Sequence, residues 1–285
     1  MNRTTELLKQ LVSTPAVSSF EKELGMSALI SSFFPSSFID SIGNVIVRIG
    51  NGKRRILIEA HMDEVGFIKT TKGFAKVGLI ADEEIQEKNI EYREEIMTPA
   101  YFKRTWKSEG TLVRSPALDN KTSCVALILL AEQLKNINAE VYLAFTAQEE
   151  TTQQGLRTVM EQVKPEVVIS VDSAYAQPFE TDRWEIPICG NGASIQPQGD
   201  KFMILDAKWI AAIAEKKNIP YQWEIVDSKE GATNLTGILQ TVQRLQINVP
   251  VRYQHTAQSE TDIRDIESAA NLLFAVIEEL SKSAN

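Results

Sequence analysis

The stretch ILIEAHMDEVGF, residues 56–67, decides the fold class. Ile56, Leu57, Ile58 and Ala60 make a near-continuous apolar run broken only by Glu59, as expected of a strand covered on both faces. The run ends on His61, one of only two histidines in the chain, with Asp63 two residues later. Taken alone, His61 reads as an imidazole satisfied by local hydrogen bonds at a strand end. The rest of the chain has to show whether it is more than that.

Working upstream, NVIVRI (44–49) alternates like a half-buried strand, and GNGK (50–53) predicts a turn that folds it back on the 56–61 strand as a hairpin. Before it, Leu7, Leu8 and Leu11 lie at helical spacing up to Pro15. Ser18 with Glu21 has the form of a capping box opening a second helix through about Phe34. Downstream, residues 69–112 are charged, with short apolar runs and no clear period, and predict an inserted element. Beyond it, LDNKTSCVALILLAEQL, EVYLAFTA, GLRTVMEQV and EVVISVD alternate helix and strand. LDAKWIAAIAEKKN, YQWEIV, GATNLTGILQTVQRL, VPVRY and IESAANLLFAVIEEL carry the alternation to the C-terminus. The expected fold is α/β: three α/β/α layers around a central mixed, mostly parallel sheet, plus a small β-rich insert. Residues 1–66 and 113–285 form the main, discontinuous domain, and 67–112 the insert.

The 285 residues, 43% hydrophobic, suffice for one large core. A net charge of -8 and the absence of a basic stripe argue against nucleic acid as a partner. No segment has the length and apolarity of a membrane span or a signal peptide, and Cys124 and Cys189 lack the spacing of a zinc knuckle or redox pair. A reducing, cytoplasmic location is expected, with no membrane contact.

Several groups with chemistry fall at strand ends, where open α/β sheets bind ligands. His61 follows ILIEA, Glu149 and Glu150 follow YLAFTAQ, Asp172 follows VVISV, and His255 follows VPVRYQ; Asp119 sits in the turn entering an apolar helix. Each has an ordinary reading: Asp119 as an N-cap, the glutamates as a solvated pair, Asp172 as a turn cap. Those readings do not account for all of these groups meeting on one sheet edge. Two imidazoles with three carboxylates suit two divalent first-row ions, zinc or cobalt with manganese possible. One Asp can bridge the pair, and the ions would activate a water. In the doublet Glu149–Glu150 one glutamate can ligate while its neighbour stays free as general base. Asp63 has the position to hold the other ring nitrogen of His61.

AHMDEVGF, ALDN, AQEE, VD and RYQH, in this order, resemble the metallo-aminopeptidase family of deblocking and glutamyl aminopeptidases, which form tetrahedral assemblies within clan MH; the opening LLKQLVSTPAVSSFEKEL is similar too. The resemblance implies that His61 and Asp172 ligate one metal, Glu150 and His255 the other, and Asp119 both. It makes Glu149 the general base, places Asp63 behind His61 and implies a cis Asp119–Asn120 bond. It implies peptide substrates, cleavage of N-terminal residues and a homo-oligomer. GNGASI (190–195) resembles the family's glycine-rich loop. The chain departs from the pattern in a shorter insert, with 57 residues between His61 and Asp119, in extra residues after Glu150, and in Asn234, where the family has an acidic residue. Two other functions fit the same residues: a carboxypeptidase or amide deacylase of the clan, or a degenerate metal-binding homologue or partner subunit without catalysis. ALDN speaks against the first, and the intact ligand set against the second.

Overall fold

The computed structural model describes residues 2–178, 185–197, 201–226, 235 and 242–282. In chain order the described strands are β1 (Phe38–Ile39), β2 (Val45–Ile49), β3 (Arg55–His61), β4 (Gly66–Thr70), β5 (Gly73–Val77), β6 (Ile90–Glu91), β7 (Pro99–Phe102), β8 (Lys107–Glu109), β9 (Leu112–Arg114), β10 (Glu140–Thr146), β11 (Val167–Tyr175), β12 (Ala193–Ile195), β13 (Tyr221–Trp223), β14 (Gln243–Arg252) and β15 (Glu260–Asp262). The helices are α1 (Arg3–Val12), α2 (Met26–Ser32), α3 (Leu118–Gln133), α4 (Gln154–Val163), α5 (Lys201–Lys217) and α6 (Ile263–Lys282).

One large mixed sheet runs β1-β2-β10-β3-β11-β14-β15-β9-β8, with β12 joining β14 and β13 joining β12. Its centre, β10-β3-β11-β14, is parallel, and antiparallel pairs flank it. The continuous apolar run of β3 follows from this, because strands buried on both faces cannot alternate. Ile56 and Ile58 pack in the core that also holds the apolar residues of α1, α3 and α6, whereas Leu57 joins the opposite cluster with Leu156 and Val159 of α4. The expected three-layer α/β/α architecture is therefore present.

Three local expectations are corrected. β2 does not form a hairpin with β3, because β10 lies between them, antiparallel to β2 and parallel to β3. Residues 50–53 instead carry the chain past the start of β10, so closely that a Cβ on Gly50 would lie 2.4 Å from the Ala139 carbonyl oxygen. Ser18 and Glu21 do not form a capping box: α2 begins at Met26 behind a left-handed Gly25, and the buried Glu21 accepts the N–H groups of Ser19 and Gln148. Asp172 is not at the end of its strand, since β11 stays paired with β14 as far as Tyr175. The expected helix GATNLTGILQTVQRL (231–245), with Asn234, lies outside the described residues except at Leu235 and its last four positions, of which Gln243, Arg244 and Leu245 belong to strand β14 and not to a helix.

A second, four-stranded antiparallel sheet, β5-β4-β7-β6, is built from residues between 66 and 102. Phe67, Phe102, Ile80 and Ile90 form its own core, separate from that of the large sheet. The chain leaves β3 through Glu64, returns through β8 and β9, and closes on β15 at the far side of the large sheet. No helix among the described residues is long and apolar enough to cross a membrane.

Candidate active site

The parallel centre of the sheet sets the site. Thr146 is in register with His61, so the turn after β10 delivers Glu149 and Glu150 beside the end of β3. β11 next door brings Asp172, and the turn after β14 brings His255, whose backbone is left-handed. Asp119 and Asn120 have non-helical backbone at the entry of α3, and the bond between them is cis. The carboxylate of Asp119 lies against both imidazoles and does not cap its helix.

The geometry has a repeating form. His61 Nε2 lies 3.4 Å from Asp119 Oδ1 and 3.3 Å from Asp172 Oδ1. His255 Nε2 lies 3.2 Å from Asp119 Oδ2 and 3.3 Å from Glu150 Oε1. Each ring nitrogen thus meets two carboxylates, and Asp119 serves both rings through different oxygens. Glu149 Oε2 is further from His61 Nε2, at 4.0 Å. All of the candidates named from the sequence are brought together here: His61, Asp63, Asp119, Glu149, Glu150, Asp172 and His255.

Asp63 holds the cluster from behind. Its two oxygens accept the N–H groups of Glu149 and Glu150, each at 3.1 Å, and Oδ1 lies 3.5 Å from His61 Nδ1. One fully buried carboxylate thereby fixes both the first imidazole and the backbone carrying both glutamates. Asp172 is positioned by Asn248, whose Oδ1 accepts the Asp172 N–H while its amide donates to Glu224 and Gln196.

The electrostatics follow from burial and crowding. Burial works against the charge of His255, but Glu150 and Asp119 lift its imidazolium to about 11. Burial opposes the charge of His61 too, and Asp119, Asp172 and Asp63 overcome it, so its pKa also rises. The two imidazoles in turn overcome the burial of Asp119 and hold its carboxyl well below the usual range. Glu149 goes the other way: burial, aided by Asp172, Glu150 and Asp63, pushes its carboxyl well above the ordinary value. Adjacent carboxylates driven apart in this way suit separate acid–base duties.

The donor set fits divalent cations. Asp119 Oδ1 and Glu150 Oε1 are buried without a hydrogen-bond partner, and His61, Asp119 and Glu150 offer ligand atoms within 4.8 Å of one another. The close nitrogen–oxygen contacts around these atoms are not aligned as hydrogen bonds. Imidazole and carboxylate converging in this manner, with a carboxylate behind the ring, is a donor set suited to a divalent metal ion.

The sequence reading did not single out a buried ion cluster beside this centre. Glu64 pairs with Arg104, accepts the Ala16 N–H at 3.1 Å and lies 3.5 Å from the fully buried Lys121 Nζ, which donates to the Met62 carbonyl. Glu64 stands within the conspicuous HMDEV and Lys121 within ALDNK, but nothing in the charged insert marks Arg104.

Comparison with known proteins finds relatives over the length of the chain and solved structures of the same fold. The lysyl aminopeptidase of Pyrococcus furiosus is 24% identical over 341 residues, spanning 96% of this chain and 97% of its own. Aminopeptidase APDkam598 of the archaeon Desulfurococcus kamchatkensis superposes with a TM-score of 0.87 at 24% identity, over 99% of this chain and 96% of that one. The TET1 peptidase of Pyrococcus horikoshii, which can assemble into a tetrahedron or a large octahedral shell, superposes with a TM-score of 0.83 at 24% identity, over 97% and 99%. The model of the M42 glutamyl aminopeptidase family matches residues 70–272, most of the chain, a span that includes Asp119, Glu149, Glu150, Asp172 and His255 and begins after His61 and Asp63. A metal-suited centre on this fold and a family match over this span have one reading: the chain belongs to the M42 glutamyl aminopeptidase family and is a peptidase.

Proposed function

We propose that the chain is an aminopeptidase with two divalent ions, removing N-terminal residues from peptides. His61, Asp172 and Asp119 would hold one ion, and His255, Glu150 and Asp119 the other. The observation that carries this reading is the pair of Asp119 oxygens, each turned to a different imidazole that also meets a second carboxylate. Ions bound there supply Lewis acidity and a nucleophilic water at neutral pH.

The chain's own groups do the remaining work. Glu149 stands beside the ligands without being drawn between them, in a buried setting that raises the proton affinity of its carboxylate. It accepts the proton of the attacking water and returns it to the leaving amine. Asp63 keeps Glu149 and Glu150 aimed differently through their adjacent N–H groups. His61 stays in one orientation because Asp63 backs its second nitrogen.

The division into a catalytic unit of 1–66 with 113–285 and an insert of 67–112 is part of this reading, supported by the separate core under the small sheet. Self-association is a further part. Leu79, Ile96 and Met97 are 75%, 51% and 74% exposed on that insert, an apolar surface of the kind that associates. Two unpaired cysteines fit a reducing compartment, the cytoplasm.

The test is release of arylamine from a panel of amino-acid arylamides after Zn²⁺ or Co²⁺ is added to chelator-treated protein, with Glu149→Gln as control. Metal-dependent release that the control loses is the expected result. Absence of release across the panel, with two ions bound per chain, would overturn the reading.

A further inference from the structure

The turn that delivers Glu149 and Glu150 is held by two carboxylates. Asp63 accepts the N–H groups of Glu149 and Glu150, and Glu21 accepts the N–H of Gln148, immediately before them, at 3.0 Å. Successive N–H groups in a left-handed turn make an anion-binding concavity, and here the chain fills its own. Asp63 comes from the segment that bears His61, whereas Glu21 comes from 127 residues upstream.

Glu21 is buried, a costly place for a carboxylate. Its own turn accounts for one bond, from the Ser19 N–H at 2.9 Å, and the bond from Gln148 is the one that reaches the candidate centre. Gln148 has a φ of 63°, uncommon for a residue with a side chain and kept where the surroundings impose it. Its carbonyl accepts the N–H groups of Thr152 and Gln153 at 3.1 and 2.7 Å, so Gln148 is clamped at its carbonyl by the turn and at its N–H by Glu21. The segment carrying Glu21 is itself anchored beside the end of β3. Val17 bridges to Glu64, the Ser18 N–H donates to the Glu64 carbonyl at 3.0 Å, and the Ser18 hydroxyl lies 2.9 Å from that of Thr151. Asp63 fixes the backbone from Glu149 onward. Glu21 fixes the residue whose φ and ψ set the direction in which the chain enters Glu149.

We propose that Glu21 is a positioning residue for Glu149, acting through the Gln148 N–H. This rests on the aminopeptidase reading, in which Glu149 is the base. A purely structural Glu21 would serve the turn around Ser19 and leave the chemistry alone.

The test is steady-state kinetics on the arylamide that the wild type cleaves best, with bound ions counted by elemental analysis. Glu21→Ala should lower kcat by roughly ten- to a hundredfold, the cost of displacing a reacting group by about 1 Å. KM and the number of bound ions should not change, since the loss falls on the transition state alone. Glu21→Gln keeps an acceptor oxygen at the same reach and should recover most of the rate. In a Glu149→Gln background Glu21→Ala should have no further effect, because no base is left to aim. Should Glu21→Ala fail to fold, Glu21→Asp, whose acceptor is drawn back by one methylene, takes its place with the same expected results. An unchanged kcat, a loss accompanied by loss of ions, a Gln variant as slow as Ala, or an equal loss in the Glu149→Gln background overturns the proposal. If the metal-loaded wild type hydrolyses nothing, the aminopeptidase reading fails separately, and hydrogen exchange judges the clamp. Protection lost by Glu21→Ala in peptides spanning Gln148–Glu150, and restored by Glu21→Gln, supports it; unchanged protection, or a loss spread over the whole chain, overturns it.

Discussion

Replacing Asp63 by Asn tests whether one carboxylate governs the whole centre. The substitution keeps shape and volume but exchanges one acceptor oxygen for an N–H₂ donor. Asp63 now accepts the N–H groups of Glu149 and Glu150 at 3.1 Å and lies 3.5 Å from the ring nitrogen of His61. Asn can satisfy the oxygen on the His61 and Glu149 side, leaving its amide N–H₂ against the Glu150 N–H, donor to donor. It can also turn over and leave the amide against His61 and Glu149. Either way a charge-assisted bond is lost inside a fully buried pocket, a cost of roughly 1.5–3 kcal/mol. Part of that cost falls on the fold and part on the ligands, since outer-shell carboxylates usually contribute about ten- to a hundredfold in metal affinity. The assay is titration of metal-free protein with Co²⁺ or Zn²⁺ alongside arylamide turnover. Asp63→Asn should bind metal about ten- to a hundredfold more weakly, with activity partly restored by excess ion. Wild-type affinity together with wild-type kcat/KM would refute the claim that Asp63 organises the centre.

The other expectations are separable from this one. Glu149→Gln should lower kcat by about 10²- to 10⁴-fold with metal content unchanged, because it removes a proton carrier and no ligand; loss of bound metal would contradict that assignment. Asp119→Ala should lower the number of ions bound per chain, measured by elemental analysis after dialysis, and full occupancy would show that Asp119 is not shared. Glu59, fully buried between the hydroxyls of Thr146 and Ser170, is raised by burial from 4.5 to about 7. A raised carboxyl favours the fold when protonated, so its contribution is complete below about pH 4.5 and is lost as the pH rises through about 7. Glu59→Gln should therefore stabilise the protein by up to roughly 3 kcal/mol at about pH 8, with no gain at about pH 4. Thermal melts at the two pH values decide this, and equal gains at both would contradict it.

The sheet order and the centre were legible to different depths, for physical reasons. The apolar continuity of Ile56–His61 and the strand–helix alternation after residue 113 reported a sheet covered on both faces, because burial leaves its mark directly in hydrophobicity. The ligand candidates were legible because imidazoles and carboxylates at the ends of apolar strands are costly there without a partner. The misread hairpin had no local cure: GNGK has turn chemistry whether the next strand pairs with the last or passes another. The deciding contact, Gly50 against Ala139, is between residues far apart in sequence. Ser18 and Glu21 likewise have capping-box spacing, yet Glu21 bonds the Gln148 N–H, a partner no short window includes. Arg104 was invisible because a lone arginine in a charged segment carries no period, and its meaning comes from Glu64 and Tyr101 folding around it.

The small sheet also has two separate roots. It departs from the middle of the large sheet at β3 and returns at its edge through β9, and the Glu64–Arg104 pair ties the departing chain to the returning one. A flap carried on two adjacent strands can pivot about the line between them. One rooted in two places far apart, and cross-braced near the first, is held at both ends of that line. For protein engineers the element is therefore not a cassette with a single seam. An exchange with a longer counterpart would have to preserve both junctions and match residue 64 with a cation arriving from the graft, or the cleft would change width along with its lining.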